Sequence, residues 1–297
     1  MSNTLAIKST LSNATLWKAI DWTSVSAYVE KLQQRIYRAE SQGKNRKVRE
    51  LQRLLMRTKA ALLLSIRKVT QINKGKKTPG VDKFTALTDT ERLKLYLQMK
   101  EYDISQHKPK PSYRMYIKKK NGKLRPLSIP VIKDRIWQNI AKLALEPQWE
   151  YIFEPTSYGF RPGRGCHDAI QRIFSSLARK KKRWVFEGDF KGCFDNLRHD
   201  YIMEQIGYFP NNNIIEKWLK SGYIDNNVFN ETDRGGGQGS IISPLLANIA
   251  LHGMEEILGI KYTMKKVKGS ECASNITDYA MTRYADDCAP RRRVQVA

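Results

Sequence analysis

The sequence Tyr284-Ala285-Asp286-Asp287 places two adjacent carboxylates in what is predicted to be a tight turn. Paired acids of this kind suit a divalent cation such as Mg²⁺, which prefers oxygen ligands and is typically held by one or two carboxylates plus substrate phosphates. A site of this type needs a third acid from elsewhere in the chain, and Asp189, at the end of a short apolar segment, is the candidate. Acidic pairs also arise by chance, so these four residues alone are better interpreted as an exposed turn.

The charge balance is the next constraint. Within 297 residues, 53 Lys and Arg stand against 29 Asp and Glu, which leaves a net charge of +24. A positive field of this size attracts polyanions, and nucleic acid is the favoured partner over a generically basic surface. With 41% hydrophobic and 28% charged residues, the composition predicts a globular chain rather than a disordered or membrane protein.

Cysteine spacing and apolar runs exclude several classes. The four cysteines lie far apart without a C-x-x-C pair or nearby histidines, so neither a zinc site nor a disulfide framework is expected, and a reducing cytosol fits. The first twenty residues contain no apolar core of signal-peptide length, and the apolar run at residues 60–64 is too short to span a bilayer. No membrane partner is predicted.

The N-terminal third is predicted to be helical and basic. Apolar periodicity over residues 28–69 indicates two helices with an interruption near Gly43. Acids are rare there, so the polar faces are positive, which is typical either of phosphate contact or of an ordinary solvated face. Residues 73–82, with glycines and a proline among lysines, indicate a linker or a binding loop.

A helix over residues 88–99 and a basic hairpin are predicted next. Strands at residues 112–117 and 124–130 flank a lysine-rich turn containing Asn121-Gly122. Lys119 and Arg125 on such a hairpin would suit a polyphosphate, although an ordinary surface hairpin is an equal alternative.

The middle of the chain alternates helices with glycine-rich loops. Helices are predicted at 134–145 and 167–177, and a short strand at 184–190. The loop at 157–165 alternates aromatics, arginines and glycines, which suits bases and a nucleic-acid backbone or else a tight structural turn. A basic run fills residues 179–183. The glycine-rich loop at 235–240 leads to a helix predicted to begin at Ser243-Pro244 and to carry Leu245, Leu246, Ile249 and Ile257.

Taken in order, these blocks resemble the group II intron reverse transcriptases, the maturase-type RNA-directed DNA polymerases of bacteria and organelles. The resemblance covers nearly the whole chain from Trp17 to Asp287. The blocks that carry it are the helical extension at 17–82, Leu124-Arg125-Pro126-Leu127, Tyr158-Gly159-Phe160-Arg161-Pro162-Gly163-Arg164, Gly188-Asp189-Phe190-Lys191-Gly192-Cys193-Phe194-Asp195, Gln238-Gly239 with Ser243-Pro244-Leu245-Leu246-Ala247-Asn248, and Tyr284-Ala285-Asp286-Asp287.

The resemblance implies an α+β fold of the right-hand polymerase type. It divides the chain into a helical N-terminal extension (residues 1–82), fingers (83–183) and an incomplete palm without a thumb (184–297). It implies intron RNA, or an RNA template with a DNA primer, as partners, deoxynucleoside triphosphates as substrates, and action in the bacterial cytoplasm or in an organelle.

The resemblance also implies roles for individual residues. Asp189, Asp286 and Asp287 would hold two Mg²⁺ ions. Lys119 and Arg125 would contact the triphosphate, Gln238 would line the nucleotide pocket, and Phe194 would exclude a 2′-hydroxyl.

Two departures from the family pattern alter these expectations. Gly237 precedes Gln238 where the family usually has proline, which predicts a more flexible loop. After Asp287 the family continues with an apolar strand, the rest of the palm and a thumb, whereas here residues 288–297 contain Pro290 and three arginines. No returning strand is therefore expected after Asp287. This departure suggests a frameshift or a broken gene, and an inactive polymerase is expected.

Three hypotheses for the function follow. The first is an RNA-directed DNA polymerase of group II intron type. The second is a non-catalytic RNA-binding remnant of such a protein. A retron or defence-associated polymerase is less favoured because those usually lack the long helical extension. Metal-dependent DNA synthesis on an RNA template distinguishes the first hypothesis from the second.

Overall fold

The computed structural model describes residues 13–119, 122–178, 184–267 and 270–292. The basic run at 179–183 and Asn121 of the predicted turn lie outside this part of the chain. Two compact units are present. The first comprises Met1–Tyr151, Ile206–Asp233 and Gly237–Ile242, and the second comprises Ile152–Gln205, Arg234–Gly236 and Ser243–Ala297.

Helices dominate the described residues. The α-helices are α1 (Asn13–Lys18), α2 (Trp22–Ser41), α3 (Asn45–Met56), α4 (Lys59–Arg67), α5 (Asp89–Met99), α6 (Ile132–Ile152), α7 (Cys166–Leu177), α8 (Cys193–Asn196), α9 (His199–Ile206), α10 (Asn212–Leu219), α11 (Ser243–Ala250) and α12 (Met254–Ile257). None of the helices in the described ranges is both long enough and apolar enough to cross a membrane.

The strands are short. They are β1 (Ser112–Lys118), β2 (Leu124–Ile129), β3 (Trp184–Val185), β4 (Gly188–Asp189), β5 (Tyr223–Asp225), β6 (Val228–Asn230), β7 (Tyr262–Val267), β8 (Ser270–Asn275), β9 (Tyr279–Ala280), β10 (Arg283–Tyr284), β11 (Asp287–Cys288) and β12 (Arg291–Arg292). The mixture of helices and small sheets is consistent with the predicted α+β class.

The helical N-terminal region has one more break than its apolar periodicity predicts. The interruption near Gly43 is confirmed, with a left-handed φ of +65° at that glycine. The expectation of two helices over residues 28–69 is wrong, because α3 ends at Met56 and α4 begins at Lys59. The Thr58 side chain accepts a hydrogen bond from the Ala61 N–H and so caps a new helix. The buried apolar stripe continues across this break, which hides the cap from a periodicity analysis.

A four-stranded sheet in the first unit has the strand order β2-β1-β5-β6. The predicted hairpin is confirmed as β1 and β2, in antiparallel register with Ile117 opposite Arg125. The helix predicted before it is α5, whose N-cap Thr88 and Glu91 form a reciprocal capping box.

Helix α6 forms the centre of the first unit. It was predicted over residues 134–145 but extends to Ile152, through Pro147. Ile136 and Ile140 are buried on one face of α6, so tertiary packing stabilises the helix. A proline in the sequence predicts the end of a helix locally and does not reveal this packing. Buried Arg135 donates hydrogen bonds to the carbonyl oxygens of Gly75 and Thr78, so the loop at 73–82 is fastened rather than a free linker.

Two three-stranded sheets in the second unit have the orders β10-β11-β4 and β3-β12-β9. The expectation that no strand forms after Asp287 is wrong, since β11 and β12 both pair with neighbours. Pro290 lies between them and only needs to accept a hydrogen bond, which the Phe186 N–H donates over 3.0 Å. Backbone pairing does not require apolar side chains, and the chain uses two short strands instead of a continuous one.

Helix α11 begins at Ser243 as predicted and buries Leu245, Leu246 and Ile249. The prediction for Ile257 is wrong, because this residue lies on α12 and is 87% exposed. Gly253, with a φ of +96°, separates the two helices and turns the chain.

Candidate functional site

The three predicted acids lie on one small sheet of the second unit. Strand β11 is antiparallel to β4, and Asp287 is directly opposite Asp189. Asp286 lies in the turn between β10 and β11, one residue before Asp287. Directly opposed residues of an antiparallel pair have Cβ atoms about 4.5–5.5 Å apart, so the sheet brings together acids that are almost a hundred positions apart in sequence.

The electrostatics of these acids reflect that proximity. The pKa of Asp287 is raised, first by partial burial of its carboxyl group and then by the negative charges of Asp286, Asp189 and Glu187. Burial raises the pKa of the nearby Cys193 thiol to about 11, and the charges of Asp286 and Asp189 add to this shift. Each acid therefore makes ionisation of a neighbouring group less favourable.

The donor set is suited to a hard divalent cation. Asp189 and Asp287 are exposed and Asp286 is half-buried, so their oxygens are accessible from solvent. Among the described residues, no group of three or more His, Cys, Asp or Glu side chains stands ready to hold a metal ion by itself. Mg²⁺ sites that include substrate phosphates and waters require only one or two protein carboxylates, so the acids fit such an ion when substrate is present.

Buried Arg283 stabilises the turn at Ala285 and Asp286, which is called the acidic turn below. Its Nη1 atom donates hydrogen bonds to the Asn248 side-chain oxygen over 2.9 Å and to the Ala285 carbonyl over 3.1 Å. Ala285 has a left-handed φ of +59°, which a non-glycine residue rarely adopts. The guanidinium is 1% exposed, and its pKa is lowered by that burial. The strained turn is thus held by a desolvated cation.

Gly159 packs directly against the same turn. A Cβ atom added at residue 159 would lie 2.3 Å from the Ala285 backbone nitrogen, closer than real Cβ contacts allow. The Gly159 carbonyl accepts a hydrogen bond of 2.7 Å from the Asn248 side chain. The missing side chain at residue 159 therefore allows the two backbones to touch.

The loop at 157–165 was predicted either to bind nucleic acid or to be a structural turn, and its arginines have structural contacts. Arg161 is buried and donates to the carbonyl oxygens of Glu154 and Ser157. Arg164 donates to the Pro155 carbonyl over 2.7 Å. Phe160 differs from these arginines, because it is 47% exposed.

Phe194 lies beside the acids, on α8. Its ring meets that of Phe160 edge to face, with centroids 6.0 Å apart. The two rings line a small depression together with Ala285 and Asp286. A bulky group is therefore present next to the turn that carries Asp286.

The remaining predicted site residues belong to the first unit. Arg125 donates from Nε to the Gln238 side-chain oxygen over 2.7 Å. The Gln238 carbonyl accepts from the Ser128 N–H over 2.6 Å, which fastens the glycine-rich loop to β2. Lys119 is exposed, and its backbone pairs with Lys123 across the hairpin turn. Arg125 and Gln238 thus form a contact pair, with Lys119 on the same hairpin.

Sequence reasoning missed the supporting residues Arg283, Asn248 and Glu154. Asn248 ends the Pro-Leu-Leu-Ala-Asn block and Arg283 directly precedes Tyr284, so their positions within motifs were the available signal. Glu154 is 9% exposed and accepts hydrogen bonds from the backbone N–H groups of Gly253 and Glu255. Its carboxylate also lies 4.0 Å from Arg283.

Two segments of the chain each match a known protein family. Residues 17–99 match the N-terminal domain of reverse transcriptase. Residues 117–289 match the reverse transcriptase (RNA-dependent DNA polymerase) family. The segment with the three acids, the buried supports and the basic hairpin is thus of the reverse transcriptase class.

Three similar proteins indicate which kind of reverse transcriptase the chain resembles. The chain is 36% identical to Protein YkfC of Escherichia coli (strain K12) over 73% of its own length and 60% of that protein. It is 34% identical to the group II intron-encoded protein LtrA of Lactococcus lactis subsp. cremoris over 71% of its length and 40% of LtrA. It is 30% identical to maturase-like protein 1 of Euglena gracilis over 80% of its length and 51% of that protein.

The chain belongs to the group II intron reverse transcriptase/maturase family. It spans between 40% and 60% of the length of the three relatives described.

Proposed function

We propose that the protein is an RNA-directed DNA polymerase of group II intron type that also binds intron RNA. The observation that carries this proposal is the cross-strand pairing of Asp287 with Asp189, next to Asp286 in a buttressed turn. The proposal is supported by membership of the reverse transcriptase family. It is also supported by the similar proteins, which include an intron-encoded protein and a maturase-like protein. Bacterial relatives favour action in the bacterial cytoplasm, with an organelle as the alternative site.

In the proposed reaction, the 3′-hydroxyl of a DNA primer loses its proton to solvent and its oxygen forms a bond to the α-phosphorus of a deoxynucleoside triphosphate. Pyrophosphate leaves with the electrons of the broken phosphorus–oxygen bond. Asp189, Asp286 and Asp287 would hold two Mg²⁺ ions, which lower the pKa of the primer hydroxyl and neutralise the triphosphate.

The other proposed roles belong to side chains that touch the nucleotide. Arg125 and Lys119 contact phosphate oxygens as permanent cations. Gln238, which accepts a hydrogen bond from Arg125, orients that guanidinium and lines the nucleotide pocket. Phe194 excludes a 2′-hydroxyl by its bulk.

The expectation of an inactive chain depended partly on a missing strand after Asp287. Since β11 pairs on both sides, with β10 and β4, that reason does not hold. The basic surface is suited to the RNA template and to intron RNA, because Lys and Arg that neutralise phosphates release condensed counterions.

The decisive experiment is primer extension on an RNA template by the purified chain with Mg²⁺. Replacing Asp189, Asp286 or Asp287 by Asn should reduce synthesis by on the order of a hundredfold or more, because metal-assisted transfer tolerates little misplacement. RNA affinity should stay nearly unchanged, and Asp200→Asn, at an exposed acid paired with Arg198, is the matched control. RNA binding without any metal-dependent synthesis would favour the non-catalytic hypothesis instead.

A further inference from the structure

A cavity of about 470 Å³ lies within the first unit, and its lining residues differ from those assigned to polymerisation. The end of α2, helix α3, helix α6 and the segment before α10 form its walls. Its volume falls in the range of small-molecule sites, roughly 300–1,000 Å³. The lining residues that matter here are Glu40, Arg49, Gln52, Gln148, Tyr208 and Phe209.

Two hydrogen-bond acceptors in this lining have no donor. The Oε2 atom of Glu40 and the Oε1 atom of Gln52 are buried and find no partner among the described residues. Gln52 is 1% exposed, and its amide nitrogen donates to the Gln148 side-chain oxygen over 2.7 Å, which fixes its orientation. Buried polar atoms are normally satisfied, so two unpaired acceptors on residues that line one cavity point to a ligand that brings two donors.

The cavity also offers a flat aromatic surface and a cation. Tyr208 is 84% exposed, which is unusual for a large aromatic side chain, and the Arg49 guanidinium lies 5.7 Å from the centre of its ring. Phe209, next in sequence, is 4% exposed and contributes an apolar wall. Aromatic rings and arginine planes are the surfaces on which unstacked bases of single-stranded RNA stack.

We propose that this cavity binds an unstacked guanine base of single-stranded RNA. Guanine carries N1–H and N2–H₂ side by side on its Watson–Crick edge, and these donors match the unpaired oxygens of Glu40 and Gln52. Adenine and cytosine place an acceptor nitrogen beside their amino group, and that nitrogen would face the Glu40 carboxyl. Uracil has a single N–H between two carbonyl oxygens. The inference assumes the RNA binding of the proposed function and adds base selectivity at a second site.

The pKa of Glu40 is raised, because the carboxyl group is partly buried. A donor pair from guanine stabilises the ionised carboxylate, so binding of guanine should strengthen as the pH rises through the range where Glu40 ionises. The Gln148 side chain donates a hydrogen bond to the Glu40 carboxyl group. The other polar or charged residues that line the cavity with Glu40 are Asn45, Arg49, Gln52 and Tyr208.

The test measures the affinities of nine-nucleotide RNAs for the full 297-residue chain at one fixed salt concentration. The probes are fluorescent oligouridine and the same strand with a central guanine, hypoxanthine (inosine) or adenine. The guanine strand should bind about tenfold more tightly than oligouridine, since a good bidentate contact discriminates bases on this scale. Inosine, which lacks the 2-amino group, should lose most of that preference without any change to the protein.

Substitutions in the protein test which side chains cause the preference for guanine. Glu40→Gln should abolish the preference for guanine and leave the affinity for oligouridine unchanged. Glu30→Gln makes the same charge change at an exposed position of the same helix and should have no effect. Tyr208→Ala, at a residue too exposed to be needed for folding, should weaken binding of the guanine strand alone.

Equal affinities for the guanine and uridine strands in the unmodified protein would overturn the proposal. A guanine preference that survives in Glu40→Gln would overturn it too. If an arginine-containing peptide occupies the cavity in a Glu40-dependent way while guanine does not, the site binds a protein guanidinium instead. Failure of every RNA strand to bind would refute RNA binding itself, whereas uniform binding refutes only the base pocket.

Discussion

Substituting Gly159 by alanine tests whether the loop at 157–165 positions the acidic turn. The new Cβ would lie 2.3 Å from the Ala285 nitrogen, whereas ordinary contacts begin at 3.4 Å. The turn must therefore move by roughly 1 Å, and a displacement of about this size at a catalytic group costs on the order of a hundredfold in rate. Because the contact is backbone against backbone, no side-chain rotation can relieve it.

The matched control for this substitution is Gly165→Ala in the same loop. Its added Cβ would meet only the Asp168 carboxylate, at an ordinary distance of 3.7 Å, and its φ of −127° is open to any residue. Single-nucleotide addition to a primer on an RNA template should fall about a hundredfold in Gly159→Ala and little in Gly165→Ala. The midpoint of thermal unfolding should also fall in Gly159→Ala, since overpacking a close contact destabilises a fold.

Equal synthesis rates and equal unfolding midpoints in the two variants would refute the idea that Gly159 positions the turn. A lower unfolding midpoint with normal synthesis would make Gly159 a purely structural residue. The Mg²⁺-dependent shift of the unfolding midpoint gives a second readout, because misplaced carboxylates should bind the cation less tightly.

Three further predictions concern the acids and the nucleotide contacts. Asp287→Asn should raise the midpoint of thermal unfolding in the absence of metal. Because the pKa of Asp287 is raised in the folded protein, its stabilising contribution is complete at low pH and is lost as the pH rises. The gain in midpoint should therefore be larger at pH 7 than at pH 4, and an equal gain would contradict the charge argument. Phe194→Val should increase ribonucleotide incorporation relative to deoxyribonucleotides by roughly tenfold, as expected for opening an apolar pocket, and an unchanged ratio would remove this ring from the sugar site. Arg125→Ala should raise the KM for deoxynucleoside triphosphates about tenfold, in keeping with a lost charge-assisted hydrogen bond, while Arg114→Ala, at a residue on the adjacent strand that stacks on Tyr223, should not.

Local sequence signals determined much of the fold. The capping box at Thr88 and Glu91, the Ser243-Pro244 helix start and the Asn121-Gly122 turn signal between β1 and β2 each act within a few residues, so they are visible in one sequence. The block order was enough to identify the family. The sequence also predicts that Asp189, at the end of a short apolar segment, joins Asp286 and Asp287 of the tight turn in a metal site, and the structure pairs Asp189 with Asp287.

Tertiary structure decided what depends on contacts between distant segments. The returning strands after Asp287 form because β11 and β12 find partners on both sides, and backbone hydrogen bonding carries no signature in side-chain polarity. The support of the acidic turn by Arg283 and Asn248 joins positions far apart in the chain. Local patterns predict which segments form and which residues bear charge, but which backbone touches which is determined by packing, as the contact of Gly159 with Ala285 illustrates.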